Sequence, residues 1–210
     1  MDTKERLVDG ALRAVRTHGI AGVSARTVAA AAGVNQALVF YHFGTVDDLL
    51  AEACRSATEE RVAYYRDRFA GVGSLRELLD LGRALHAEER KQGNVTVLAQ
   101  LLAGAQADER LAAPVAAALR QWTAEIESVL RRVLKDSPLG ELADPAGLAY
   151  AVSAAFIGLE LYEGVDAKGA AAALDALEKL AVLVDVVEEL GPVARRALRG
   201  RTRKARASRS

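Results

Sequence analysis

The stretch Ser24-Ala-Arg-Thr-Val-Ala-Ala-Ala-Ala-Gly33-Val-Asn-Gln-Ala-Leu-Val-Phe-Tyr-His-Phe43 decides the fold. Ser24 has the side chain to accept a backbone N–H at the start of a helix. Val28 and Ala32 are four residues apart and so share one helical face. Gly33 suits the left-handed position that ends a helix. Asn35 then offers a cap for a second helix running to about Phe43. Two short helices joined by a turn of three to four residues have the layout of a helix-turn-helix. In that motif the second helix enters the DNA major groove.

Working outward, nearly every segment carries helical periodicity, and no alternating apolar/polar run persists for strand length. A first helix is predicted from Thr3 to His18, with Leu7, Ala11, Leu12 and Val15 on one face and Gly19 as its stop. Thr45 and Asp48 form a capping-box variant for a fourth helix reaching about Phe69. Gly71-Val-Gly-Ser74 is a break. Further helices are predicted over Leu75 to Lys91, Asn94 to Gln106 (with Asn94 as its cap), Asp108 to Lys135, Pro145 to Glu163 and Gly169 to Leu190. The segment Asp136 to Asp144 is the longest loop between them.

Formal net charge is zero, from 28 basic and 28 acidic residues. The charge is segregated. Gly191 to Ser210 holds eight basic residues and no acidic one, so the rest of the chain is acidic, with 20 basic against 28. The motif, not the net charge, points to DNA. The Arg/Ala/Ser tail is expected to be disordered. Cys54 is the lone cysteine, which excludes an intrachain disulfide and suits a reducing compartment. The N-terminus lacks a signal peptide's apolar core, and the 14 uncharged residues from Ala146 to Leu159 fall short of the ~20 of a membrane span. A soluble, cytoplasmic protein without membrane association is expected.

The run Ala32-Gly-Val-Asn-Gln-Ala-Leu-Val-Phe-Tyr-His-Phe43, followed by Gly-Thr-Val-Asp-Asp-Leu-Leu50, resembles the tetracycline-repressor (TetR) family of transcriptional regulators. The resemblance implies an all-α chain in which three N-terminal helices carry the helix-turn-helix and six more form a ligand-binding and dimerisation domain. The expected boundaries are 1–48, 49–190 and a basic tail over 191–210. Two residues depart from the family pattern. Phe40 stands where a tyrosine is usual, and Val46 where a lysine is usual; each removes a bond to a DNA phosphate.

The second helix has a core stripe of Val34, Leu38 or Val39, and Phe43. Asn35, Gln36, Ala37, Phe40, Tyr41 and His42 are left for DNA. Gln36 is the best direct reader, since its amide can bond adenine N6 and N7 together. Ala37 is small enough to meet a thymine methyl, Tyr41 suits a base or a phosphate, and His42 suits a phosphate. Asn35 caps first and contacts DNA second. Arg26 can pair with guanine O6 and N7, and the resemblance places Ser24 near DNA as well.

For a small-molecule effector the candidates are Gln100, Trp122 and Tyr150, polar or aromatic groups within largely apolar segments. For a homodimer they are the small-residue ridge Ala151, Ala155 and Gly158 with Val182 and Val186. The last helix also has a wide apolar face formed by Leu177, Leu180, Leu183, Val184, Val187 and Leu190. One chain's core does not easily cover both faces. Catalysis finds no support. His18, His42 and His86 are scattered, and no phosphate loop, zinc spacing or nucleophile elbow is present. His86 reads as an exposed helix residue. Glu160 and Glu163, one turn apart, lack a histidine companion in sequence. No cofactor or metal is expected. The expected function is sequence-specific binding of double-stranded DNA at a near-palindromic operator, with repression relieved by a small molecule. The alternatives are a helical protein-interaction module with a vestigial reading head, and a DNA organiser that works through its tail.

Overall fold

The computed structural model describes residues 2–135, 137, 140, 144–191, 193, 194, 196, 197 and 200. Among these, every regular element is helical. The helices are α1 (Thr3–His18), α2 (Ala25–Ala32), α3 (Ala37–Phe43), α4 (Val46–Gly71), α5 (Leu75–Lys91), α6 (Asn94–Ala107), α7 (Glu109–Leu134), α8 (Pro145–Glu163) and α9 (Ala167–Glu188). A 3-10 turn at Ile20–Gly22 lies between α1 and α2. The chain divides into two compact units, 1–64 with 87–121, and 65–86 with 122–210. Helices α4, α5 and α7 each contribute to both.

In the first unit, α1 begins with a reciprocal capping box. Asp2 Oδ1 accepts the Glu5 N–H at 2.8 Å, and Glu5 Oε2 accepts the Asp2 N–H at 2.7 Å. Gly19, at φ 67°, lets the chain turn away at the helix end. Leu7, Val15, Val28, Val39, Leu49, Val97, Leu101 and Val115 make the core. Helix α1 crosses α2 at very close range. A Cβ on Gly10 would stand 2.8 Å from Ala32 Cβ and 3.0 Å from Ala32 N, so only glycine fits.

Two arginines of α1 satisfy the carbonyls that α2 leaves open at its end. Arg6 Nη2 donates to Ala32 O at 2.9 Å and Gly33 O at 2.8 Å, and Arg13 Nη2 donates to Ala31 O at 2.8 Å. Helix α6 begins differently from expectation. Gly93, at φ 75°, precedes it without a side-chain cap, and the Asn94 amide instead donates to Glu89 Oε2 at 2.8 Å.

In the second unit, Tyr65, Phe69, Leu81, Leu85, Val129, Leu130 and Leu134 form the core. Arg132 donates to the carbonyls of Phe69 (2.9 Å) and Val72 (2.8 Å), closing the C-terminal end of α4. Helix α8 is capped by Asp144, whose carboxylate accepts the N–H groups of Ala146 and Gly147, with Pro145 in the first helical turn. Helix α8 is the one described helix with the length and composition of a membrane span. It also carries a buried Glu160 facing α5, a position suited to a helix packed within protein. Most of the basic tail, including everything from 201 onward, lies outside the described residues, as do parts of the 136–144 loop.

Candidate nucleic-acid interface

The interface is assembled from local capping. Ser24 Oγ accepts the Thr27 N–H at 3.2 Å, and Thr27 Oγ1 accepts the Ser24 N–H at 2.8 Å, giving α2 a closed first turn. Gly33 adopts the left-handed conformation, φ 64° and ψ 41°, and ends α2. Asn35 Oδ1 then accepts the Ala37 N–H at 2.8 Å. Gln36 already has helical dihedrals, φ −55° and ψ −34°, so the turn delivers α3 with Asn35 as its cap.

Val39 is fully buried, and Val34, Leu38 and Phe43 pack partly buried against the same core. With that side fixed, helical periodicity turns Asn35, Gln36, Ala37, Phe40 and Tyr41 to solvent. Tyr41 is 81% exposed and Phe40 50%. His42 is half-buried and meets the Tyr41 ring edge-on, with centroids 5.0 Å apart. Arg26 is exposed on the first turn of α2, while Ser24 is half-buried and engaged in its capping box.

Charge around this surface is mixed. The Lys4 amino group lies 5.6 Å from the centroid of the Phe43 ring at the end of α3. Helix α4 opens with Thr45 Oγ1 accepting the Asp48 N–H at 3.0 Å. Its first turn carries Asp47 and Asp48, the former paired with Arg110 at 2.8 Å. Further along α4, hydrogen bonds from Arg55 hold the Glu52 carboxyl below its usual range. Burial, partly offset by a hydrogen bond with Thr58, pushes the Cys54 thiol up, away from the thiolate a nucleophile needs.

The three effector candidates stand in different surroundings. Gln100 Oε1 accepts the Ile20 N–H at 2.9 Å, which commits its amide to the turn after α1. Trp122 is half-buried, with its ring 5.9 Å from Tyr65 and 6.4 Å from Phe69. Tyr150 is 57% exposed. The dimer candidates Ala151, Ala155, Gly158, Val182 and Val186 are all at least partly exposed in the single chain. So are Leu177 and Leu183 of the wide apolar face of α9; Leu183 is 61% exposed. The side chains of Leu180, Val184 and Val187 lie outside the described residues.

One grouping is invisible in the sequence. His86 is half-buried rather than exposed, with 15% of its side chain accessible, and it is the histidine companion that Glu160 and Glu163 lacked in sequence. Seventy-four and 77 residues separate the partners, so no local spacing announces them. Among the described residues, no group of three or more His, Cys, Asp or Glu is arranged to hold a metal ion.

Residues 7–53, which contain the whole interface except Lys4 and Arg110, match the sequence model of bacterial regulatory proteins of the tetR family. Solved structures agree over most of the chain. A protein from Rhodococcus sp. assigned to the TetR-family transcriptional regulators is 26% identical, over 89% of this chain and 98% of its own, with a TM-score of 0.70. The multidrug binding protein EbrR, complexed with imidazole, is 28% identical over 84% of this chain and 95% of its own, with a TM-score of 0.60. The fatty acid degradation regulator FadR from Bacillus halodurans shares the fold at 15% identity, over 86% of this chain and 94% of its own, with a TM-score of 0.70. No curated protein matches the sequence. With a capped helix-turn-helix at residues 24–43, and with every regular element among the described residues helical, the chain carries at residues 7–53 the domain that defines the tetR family of bacterial regulatory proteins.

Proposed function

We propose that the protein is a homodimeric transcriptional regulator that binds a near-palindromic operator in double-stranded DNA and represses until a small molecule releases it. The supporting observation is the exposed row Asn35, Gln36, Ala37, Phe40 and Tyr41, held over a fully buried Val39 and flanked by exposed Arg26. In this reading Gln36 and Arg26 bond base edges, and Ala37 approaches a thymine methyl. Tyr41 and His42 meet the backbone, and Ser24 and Asn35 shape the turn. Two such heads must present α3 to major-groove faces about 34–36 Å apart, or a multiple of that. Exposed apolar residues on α8 and α9 support pairing of two chains through those helices.

A ligand shifts operator affinity only through unequal binding to two conformations. Helix α4 is a suitable carrier, because it begins directly after α3 and ends in the second unit. Trp122 and Tyr150 remain the proposed ligand contacts there, and Gln100 is retained with its amide already bonded. The proposal includes no catalytic step, cofactor or membrane association, and it places the protein in the cytoplasm.

The test is selection of bound fragments from randomised DNA by the full-length protein, at about 100 mM salt to limit non-specific phosphate binding. Recovery of a short palindrome is the expected result. Sequence-independent recovery that vanishes when the tail is deleted would instead favour the interaction-module reading, to which Phe40, Val46 and the acidic first turn of α4 lend weight.

A further inference from the structure

We propose that Gln100 of α6 is a positioning residue for DNA binding, seating the turn from which the reading head hangs. That role rests on the operator binding proposed for the chain, whereas the seat is a matter of geometry. Gln100 Oε1 accepts the Ile20 N–H at 2.9 Å, across 80 residues of sequence. Ile20 opens the 3-10 turn between α1 and α2, so its N–H has no partner within that turn. One turn further along α6, Gly104 makes room for the Ile20 side chain. A Cβ on Gly104 would stand 2.8 Å from Ile20 Cγ1 and 3.1 Å from Leu111 Cδ2, closer than side chains pack. Gln100 and Gly104 are four residues apart and share a face of α6. One holds the backbone of Ile20 and the other accommodates its side chain. Gly19 completes the fit, since a Cβ there would stand 3.1 Å from Gln100 Oε1. All of these residues belong to the first compact unit.

The seat acts on the reading head through a short, closed connection. The Gly22 N–H donates to Gly19 O and the Val23 N–H to Ile20 O, each at 3.2 Å, so the turn is tied to itself. Val23 alone separates it from Ser24, the cap of α2. The Thr27 hydroxyl, in the first turn of α2, also lies 3.2 Å from Gly22 O. A displacement of Ile20 on α6 therefore reaches the first turn of α2, where Arg26 is exposed, and passes through the bend at Gly33 to α3.

The chemistry of the side chain matters at this position. An uncharged amide oxygen receives a backbone N–H as a peptide carbonyl does. Leucine has a similar volume and no acceptor, so Gln100→Leu leaves a part-buried N–H without a partner. Gln100→Glu keeps an acceptor oxygen at the same reach.

The experiment compares the full-length wild type with Gln100→Leu and Gln100→Glu by two readouts. Amide hydrogen exchange at Ile20 reads the seat. It is expected to quicken about tenfold in Gln100→Leu and to stay near wild type in Gln100→Glu. Equal exchange in all three proteins would overturn the seat. Selection from randomised DNA, on samples shown to be folded by circular dichroism, reads the positioning. The wild type and Gln100→Glu are expected to recover a single half-site spacing. Gln100→Leu is expected to keep the same base preference over a wider range of spacings, with operator affinity about tenfold lower. A lowered urea midpoint with spacing and affinity unchanged would make the bond structural only and overturn the positioning role. If Gln100→Leu does not fold, Gly104→Ala takes its place, because its methyl displaces Ile20 while alanine favours the helix. The same quickened exchange and widened spacing are expected of it, and their absence would overturn the proposal. A wild type that recovers no operator would overturn operator binding and the positioning role together, and exchange at Ile20 would still decide the seat.

Discussion

Gln36 stands exposed at the start of α3, one residue beyond the Asn35 cap, where a side-chain amide can lie in the plane of a base edge. Gln36→Ala is expected to relax operator preference at one base position and to cost about 1–3 kcal/mol of binding. A competition titration against single-base operator variants checks it, and an unchanged preference would count against this docking. Roles at this scale were unevenly legible. Ser24 and Asn35 could be read as caps because capping is local, depending on residues two or three positions away. Asn94 looked like a cap by the same logic but makes a hydrogen bond to Glu89, five residues back, and a left-handed Gly93 precedes the helix. Gln100 looked like a pocket residue because its polar amide interrupts an apolar segment. Its partner, the Ile20 N–H, is 80 residues away and invisible to any local pattern.

The pairing of α1 with α2 depends on a missing side chain. At Gly10, alanine would gain up to about 1 kcal/mol of helix propensity. Its methyl would meet Ala32 Cβ at 2.8 Å and Val28 O at 3.1 Å, with no flexible side chain able to yield. Overpacking of this kind costs about 1–3 kcal/mol. Gly10→Ala is therefore expected to destabilise the protein by roughly 1–2 kcal/mol, seen as a lower urea midpoint with an unchanged slope. Helix positions were the most legible level of the structure. The sequence bounds for α1, α5 and α8 coincide with those observed, since each has a cap or glycine at its ends and periodicity between them. Assigning faces was harder. The sequence showed a wide apolar face on α9 without saying what covers it, and Leu177 and Leu183 of that face are exposed in the single chain. Periodicity gives a face's composition but does not say whether it packs within the chain or against another molecule.

Exposed apolar residues on α8 and α9 lead to a prediction for the whole molecule. The protein is expected to show a dimer's mass by light scattering at micromolar concentration. Ala155→Arg, which sets a charge in the small-residue ridge of α8, is expected to shift it toward the monomer; a wild-type monomer would sink the proposal. Charge distribution leads to another. Deleting Arg199 to Ser210 is expected to reduce the salt slope of DNA binding by about 0.9 for each phosphate that the tail neutralises. A filter-binding series across salt concentrations measures it, and an unchanged slope would remove the tail from the interface. Asn35 bears on how a site is found at all. Its side-chain carbonyl is occupied by the Ala37 N–H, and under the proposed docking each head has a vocabulary of few letters, chiefly Arg26, Gln36 and Ala37. A head so equipped distinguishes on the order of three base pairs, and two heads about six, at about 1–3 kcal/mol for each wrong base. A chromosome presents on the order of 10⁶ or more competing sites, so six letters recur many times by chance. The address must then be completed by the interval between half-sites and by how readily the intervening DNA deforms. Searching for target promoters by half-site spelling alone would return mostly decoys, and searching by spacing would narrow them.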